Sequence, residues 1–258
     1  RLNLSTMLIL ISPAKTFAKQ VKCAHRLPAT IPVFVTEARQ LVASSLELSP
    51  QALKKELLLT AKTLPEDQRN LATFFDEGTP EEQALLNYSG MVYKKLGAGS
   101  LTEEDWRYAV DHLRMTSFVY GLLCPTDLIR PYRMEGTARL PMLEGERVFD
   151  FWRDRLTKPF IEAIQATGGK LLYLASDEMR GLFHWEEVER SVEVITPTFL
   201  TRQRDGSLRQ TVIYTKMARG EMAREVLRQR ITQPEELHRL TPAGFLYTGE
   251  GWDYILGD

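Results

Sequence analysis

The sequence predicts an α/β fold of mixed α+β character, a single compact domain in which helices surround a mixed central sheet. Three observations carry that prediction. Short apolar runs at 8–11 and 171–175 are bounded by strand-stopping residues. Long intervening stretches place apolar residues three or four apart. The order of strand, many helices, strands, hairpin and helix has neither a regular βαβα alternation nor a repeat period.

The elements follow in chain order. Residues 8–11 read as a fully buried strand that stops at Ser12-Pro13, because proline cannot donate to a ladder. Residues 31–35 are expected to form a second short strand. From 37 to 122 the pattern is helical, through Leu41/Val42, Leu53/Leu57/Leu58, Leu71/Phe74/Phe75 and Leu85/Leu86. Thr102 and Asp105 fit the capping pattern of a helix expected to run through Trp106, Ala109, Leu113 and Val119 to Gly121. A second amphipathic helix at 148–164 carries Phe151, Trp152, Phe160 and Ile164 and ends at Gly168-Gly169. A buried strand is expected at 171–175, and strands at 192–199 and 210–214 pair across Asp205-Gly206, a tight-turn dipeptide. The last helix starts after Thr215 and reaches about Arg230. Residues 1–6 precede the first methionine, Met7, and read as a remnant or an upstream extension, with 7–258 as the domain.

Composition removes several function classes. The 258 residues are 43% apolar and 26% charged, which excludes dominant disorder, and the net charge of −1 gives no overall basic field for nucleic acid. The apolar run at 7–11 is too short for a signal segment or a membrane span. Cys23 and Cys124 form no pairing motif, so a reducing, cytoplasmic setting and no membrane partner are expected. His25, His112, His184 and His238 stand singly, and no metal, P-loop, dinucleotide or nucleophile-elbow motif occurs. No metal site and no cofactor are therefore expected.

Charge is nevertheless segregated. Residues 14–26 hold Lys15, Lys19, Lys22 and Arg26 without an acid. Residues 201–230 hold eight cations against three acids, whereas 56–105 hold four against ten. Either the two basic segments meet in a phosphate-binding cleft, or they are solvated faces laced with weak i,i+3 pairs. Ser176-Asp177-Glu178 has two readings also: polar groups at a strand's carboxyl end, where α/β proteins often hold active sites, or the N-cap and first turn of a helix. Cys124, beside Pro125 and without a neighbouring His, reads as a half-buried thiol.

Four blocks carry a family likeness. Leu8-Ile9-Leu10-Ile11-Ser12-Pro13-Ala14-Lys15-Thr16, the stretch from His112 to Glu135, Leu174-Ala175-Ser176-Asp177-Glu178, and Tyr214-Thr215-Lys216-Met217-Ala218-Arg219-Gly220 resemble, in order, motifs of the YaaA family of peroxide-stress proteins. The sequence departs from the family at Phe118-Val119, at Cys124 in place of Arg, at Thr137 in place of Gly and at Tyr173 in place of Asn. The resemblance implies a cytoplasmic bacterial protein that limits iron-dependent oxidative damage and binds double-stranded or distorted DNA through a basic cleft and a helix-hairpin-helix-like element. The segment 112–130 has the outline of such an element, a helix, a tight connection and a short second piece; it fits equally an αα corner with Tyr120, Leu123 and Tyr132 in the core. The matching basic set is Lys15, Arg114, Arg130, Arg133, Lys216 and Arg219, with Ser12, Ser176 and Glu178 as polar cleft residues. Two functions remain open. One is non-specific DNA binding through phosphates, with no catalysis. The other is an enzyme acting on a nucleotide or other phosphorylated small molecule, with Glu178 or Asp177 as acid or base.

Overall fold

Met7–Ile11 is the middle strand of a five-stranded sheet in a computed structural model that describes residues 6–19 and 21–257. The order across the sheet is Gly121–Leu123, Leu113–Ser117, Met7–Ile11, Lys170–Leu174 and Glu193–Ile195. All neighbours are parallel except the edge pair Leu113–Ser117 and Gly121–Leu123. All five side chains of Met7–Ile11 are buried, as a parallel strand covered on both faces requires. Helices Glu103–His112 and Val148–Ala166 pack on it. Each such side chain contributes about 1.5–3 kcal/mol when fully removed from water.

A second sheet of four strands runs Leu208–Arg209, Thr198–Arg202, Asp253–Leu256 and Leu246–Tyr247. The apolar run expected as one strand at 192–199 is divided at Thr196-Pro197, so that Glu193–Ile195 closes the first sheet and Thr198–Arg202 opens the second. Asp205-Gly206 makes the expected turn, with Gly206 at φ 82°. The returning strand, however, is Leu208–Arg209, and residues 212–214 already belong to the helix Val212–Gln229. Tertiary packing overrides the strand preference of Val212 and Ile213. Thr215, Ala218, Met222, Ala223 and Val226 form a buried helical face, and the helix packs extensively on Met91–Leu96.

Two further expectations are corrected. Residues 31–35 form no strand: Pro32 interrupts them, Ile31 and Val33 are 74% and 78% exposed, and the helix Val35–Leu46 begins at the last of them. The helix started by the Thr102–Asp105 capping box ends at His112, where Leu113–Ser117 becomes a central strand. The segment 113–129 is consequently strand and turn, with no helix of a helix-hairpin-helix element in it. The Ser117 hydroxyl accepts the N–H groups of Val119 and Tyr120 at 3.2 and 2.9 Å, and Gly121 takes φ 72°, which turns the chain back as an antiparallel hairpin. Tyr120, Leu123 and Tyr132 are buried, as expected for a core corner. Residues 1–5 lie outside the described residues, whereas Thr6 donates its N–H to the Thr167 carbonyl at 3.1 Å. Among the described residues no helix is long and apolar enough to cross a membrane.

Two consequences can be measured. A methyl group at Gly220 would collide with the Val92 carbonyl oxygen and approach the Lys95 side chain at 2.8 Å. Gly220→Ala should therefore cost about 1–3 kcal/mol in urea unfolding by forcing the two helices apart. Asp150 caps Val148–Ala166, and its hydrogen bonds with Arg147 lower its pKa from the usual 3.8 to about 2. A depressed carboxylate stabilises the fold above its unfolded pKa and stops doing so as pH falls through its folded one. Stability should thus decline between about pH 4 and 2, and Asp150→Asn should flatten that part of the profile.

A candidate anion-binding cavity at the strand ends

The connections leaving Met7–Ile11 and Lys170–Leu174 diverge, the first leading to Leu113–Ser117 on one side of the sheet and the second to Glu193–Ile195 on the other. Such a switch point leaves a crevice beyond the carboxyl ends of the strands, where open α/β sheets bind ligands. A cavity of about 420 Å³ lies there, and Ser12, Phe118, Leu174 and Ser176 bring these strand ends into its lining.

The strand ends need partners once the ladder stops. The Ser176 N–H donates to the Ser12 hydroxyl at 2.8 Å, and the two hydroxyl oxygens lie 3.5 Å apart. Tyr93 donates its hydroxyl to the Ser12 carbonyl at 2.6 Å, and Tyr173 donates to the Ser176 carbonyl. Tyr173, a departure from the family pattern, thus has a structural role. Ser176 stands at the N-cap position of the short 3-10 helix Asp177–Leu182, but its side chain makes no capping bond and lines the cavity instead.

Seven of the nine proposed site residues line this one cavity: Lys15, Arg133, Lys216, Arg219, Ser12, Ser176 and Glu178. Their cations fall into two groups. Arg133 pairs with the Glu135 carboxylate at 2.6 Å, and Lys15 meets the same oxygen at 2.9 Å. Arg133 and Glu135 have side chains only 9% and 5% exposed, so this pair is desolvated and mutually neutralising. Asp67 lies 3.9 Å from Arg133, and burial raises its pKa. Lys216 and Arg219, by contrast, have no hydrogen bond or ion pair within the protein among the described residues. Burial lowers the Arg219 pKa, the cost of desolvating a guanidinium without a direct counter-ion, while Tyr173 and Asp177 oppose the shift from a distance. A guanidinium without a counter-ion has donors in the fork geometry that carboxylates and phosphates match.

Glu178 is exposed at the rim, yet desolvation raises its carboxyl pKa, Glu135 adds to the rise and Lys15 opposes it. Asp177 does not line the cavity. The remaining two cations lie elsewhere. Arg114, on the strand Leu113–Ser117, donates to the carbonyls of Val110 and Leu113 at 2.7 and 2.8 Å and so closes the end of the preceding helix Glu103–His112. Arg130 pairs with Glu81 at 2.9 Å and donates to the Phe74 and Asp76 carbonyls. Burial raises the pKa of Cys124, so this half-buried thiol is not held as a thiolate. Among the described residues there is no group of three or more His, Cys, Asp or Glu arranged to hold a metal ion.

Sequence reasoning missed Tyr93 and the apolar lining residues Met91, Met134 and Met179. Nothing in their spacing distinguishes them from ordinary core positions.

Fold and site together define an α/β protein with a cavity lined by cationic, polar and apolar side chains at the switch point of its parallel strands. The chain belongs to the family described as peroxide stress protein YaaA, whose model matches residues 7–250. It is similar to a UPF0246 protein of Porphyromonas gingivalis, 43% identical over 244 residues that cover 95% of each chain. A UPF0246 protein of Bacteroides fragilis is 46% identical over 239 residues, 93% of this chain and 92% of the relative. One of Bacteroides thetaiotaomicron is 44% identical over 252 residues, 98% and 95% respectively.

The ion group gives a stability test. Glu135→Gln leaves the buried Arg133 guanidinium without its close carboxylate and should destabilise the protein by about 3 kcal/mol in urea unfolding.

Proposed function

We propose that this YaaA-family protein acts in peroxide stress as an enzyme on a phosphorylated small molecule held in the cavity. Arg219 and Lys216 bind the phosphate, the hydroxyls of Ser12 and Ser176 orient the substrate, and Glu178 exchanges a proton with it. The observation that carries this reading is the partly desolvated Arg219 guanidinium, without an ion pair among the described residues, on the wall of a partly open cavity. The volume, about 420 Å³, lies in the small-molecule range. A duplex, with a major groove alone about 12 Å wide, would lie across the mouth rather than inside.

A second reading keeps the protein on double-stranded or distorted DNA, where it would limit iron-dependent damage indirectly by covering the backbone. One observation favours it. The exposed Arg202, Arg204 and Arg209 lie on the hairpin that leads directly into the helix carrying Lys216 and Arg219, giving a basic strip alongside the cavity.

Thermal melting against nucleotides and short duplexes at equal salt separates the two, because a ligand that binds only the native state raises Tm by mass action. Nucleotides should raise the Tm of the wild type and not of Arg219→Gln. A response to duplex alone, lost in a folded Lys15→Ala/Lys216→Ala/Arg219→Ala variant, would reverse the order, and the logarithm of duplex affinity titrated against the logarithm of salt concentration would then fall with a slope of about 0.9 per phosphate contact.

Glu178 adds a pH dependence. Its raised pKa means that it gains a proton as pH falls from neutral, above the usual carboxylate range, and this removes a negative charge from the cavity rim. Phosphate affinity should rise across that interval, and the increment over the ligand's own titration should vanish in Glu178→Gln, as read by calorimetric titration at several pH values.

A further inference from the structure

Beside its polar groups the cavity has a lining of different chemistry. Met91, Val92, Phe118, Met134, Leu174 and Met179 supply apolar surface. Tyr93 and Tyr132 also line it, but their hydroxyls are already engaged. Tyr93 donates to the Ser12 carbonyl, and Tyr132 shares hydrogen bonds with Tyr88 at 2.6 Å and Ser117 at 2.7 Å. Burial pushes the Tyr132 pKa up to about 12, so this hydroxyl stays neutral within its chain of partners. Toward the cavity both tyrosines offer only their rings. Thr16 and Ser89, the remaining hydroxyls on this side, bond to each other at 2.9 Å.

A ligand body rich in hydroxyls would find partners at Ser12, Ser176 and Glu178 but would lose its water along the apolar lining, at a cost for each unsatisfied group. A flat ring would instead meet thioethers and aromatic edges, which it contacts favourably, and methionine side chains adapt to its outline. The charge balance limits the other end. Arg133 and Lys15 share the single Glu135 carboxylate, whereas Lys216 and Arg219 are the lining cations without an ion pair among the described residues, enough for one phosphate or carboxylate group.

We infer that the occupant is a flat aromatic or heteroaromatic ring joined to one anionic group, with the ring against Met91, Phe118, Met134 and Met179 and the anion at Lys216 and Arg219. This rests on the phosphate-binding reading and adds to it the part of the ligand that the phosphate does not specify.

The test is calorimetric titration of the full chain at one salt concentration with adenosine monophosphate, phenyl phosphate, benzoate, ribose 5-phosphate and inorganic phosphate. Adenosine monophosphate and phenyl phosphate are expected to bind at least tenfold more tightly than ribose 5-phosphate and inorganic phosphate, and Arg219→Gln should abolish the difference. Benzoate distinguishes the two anions: binding comparable to phenyl phosphate assigns the seat to a carboxylate as well as to a phosphate. Met91→Ser, checked for an unchanged melting temperature without ligand, should weaken the ring-bearing ligands at least threefold and leave inorganic phosphate unchanged. If that variant does not fold, the ligand series on the wild type decides alone. Equal affinity for ribose 5-phosphate and adenosine monophosphate, still dependent on Arg219, overturns the ring and leaves the anion seat standing. No binding of any of the five, in wild type as in Arg219→Gln, overturns the anion seat itself and the inference with it.

Discussion

Two backbone carbonyls and one amide at the ends of adjacent parallel strands set the geometry of the site. Beyond Ile11 and Leu174 the sheet ladder no longer supplies partners, and buried peptide groups without partners are costly. Tyr93 and Tyr173 satisfy the Ser12 and Ser176 carbonyls, and the Ser12 hydroxyl accepts the Ser176 amide. These bonds hold the strand ends apart from the residues that follow, and the space left over becomes the cavity. Both serines are thereby fixed as parts of the wall.

The cavity then combines opposite electrostatic solutions within one small volume. On one side Arg133 and Lys15 close on Glu135, which makes a buried charge tolerable but leaves little attraction for a ligand. On the other side Arg219 and Lys216 have no such partner among the described residues, and Arg219 carries a desolvation penalty. The helix Val212–Gln229 delivers both cations because Gly220 lets it lie directly against Met91–Leu96, a helix that also contributes Met91, Val92 and Tyr93 to the wall. The same close contact therefore sets the two cations and the apolar lining together.

Much of this was legible in the residues themselves. The runs at 8–11 and 171–174 are strands because uninterrupted apolar sequence is what a strand covered on both faces requires, and Ser12-Pro13 marked an end. The Thr102 cap, the 148–164 helix and the Asp205-Gly206 turn depend on local chemistry and were readable for that reason. The segment 113–119 was misread as helix because Leu113, Met115 and Val119 fit a helical stripe as well as a strand, and only pairing with Met7–Ile11 decides between them. Residues 31–35 failed for the converse reason: apolar residues with no sheet edge beside them remain exposed.

The sequence by itself determined which residues carry charge, where strands could be buried and where the chain must turn, since these depend on side-chain type and on interactions a few residues long. With the family resemblance it singled out Lys15, Arg114, Arg130, Arg133, Lys216 and Arg219, and Ser12, Ser176 and Glu178 beside them. Tertiary structure alone decided that seven of these share a cavity, that Arg114 and Arg130 do not, and that Lys15 and Arg133 share the Glu135 carboxylate while Arg219 has no ion pair among the described residues. The physical reason is distance. Coulombic and desolvation effects act across a few ångströms between residues more than a hundred positions apart, and no local pattern records which of those residues will meet.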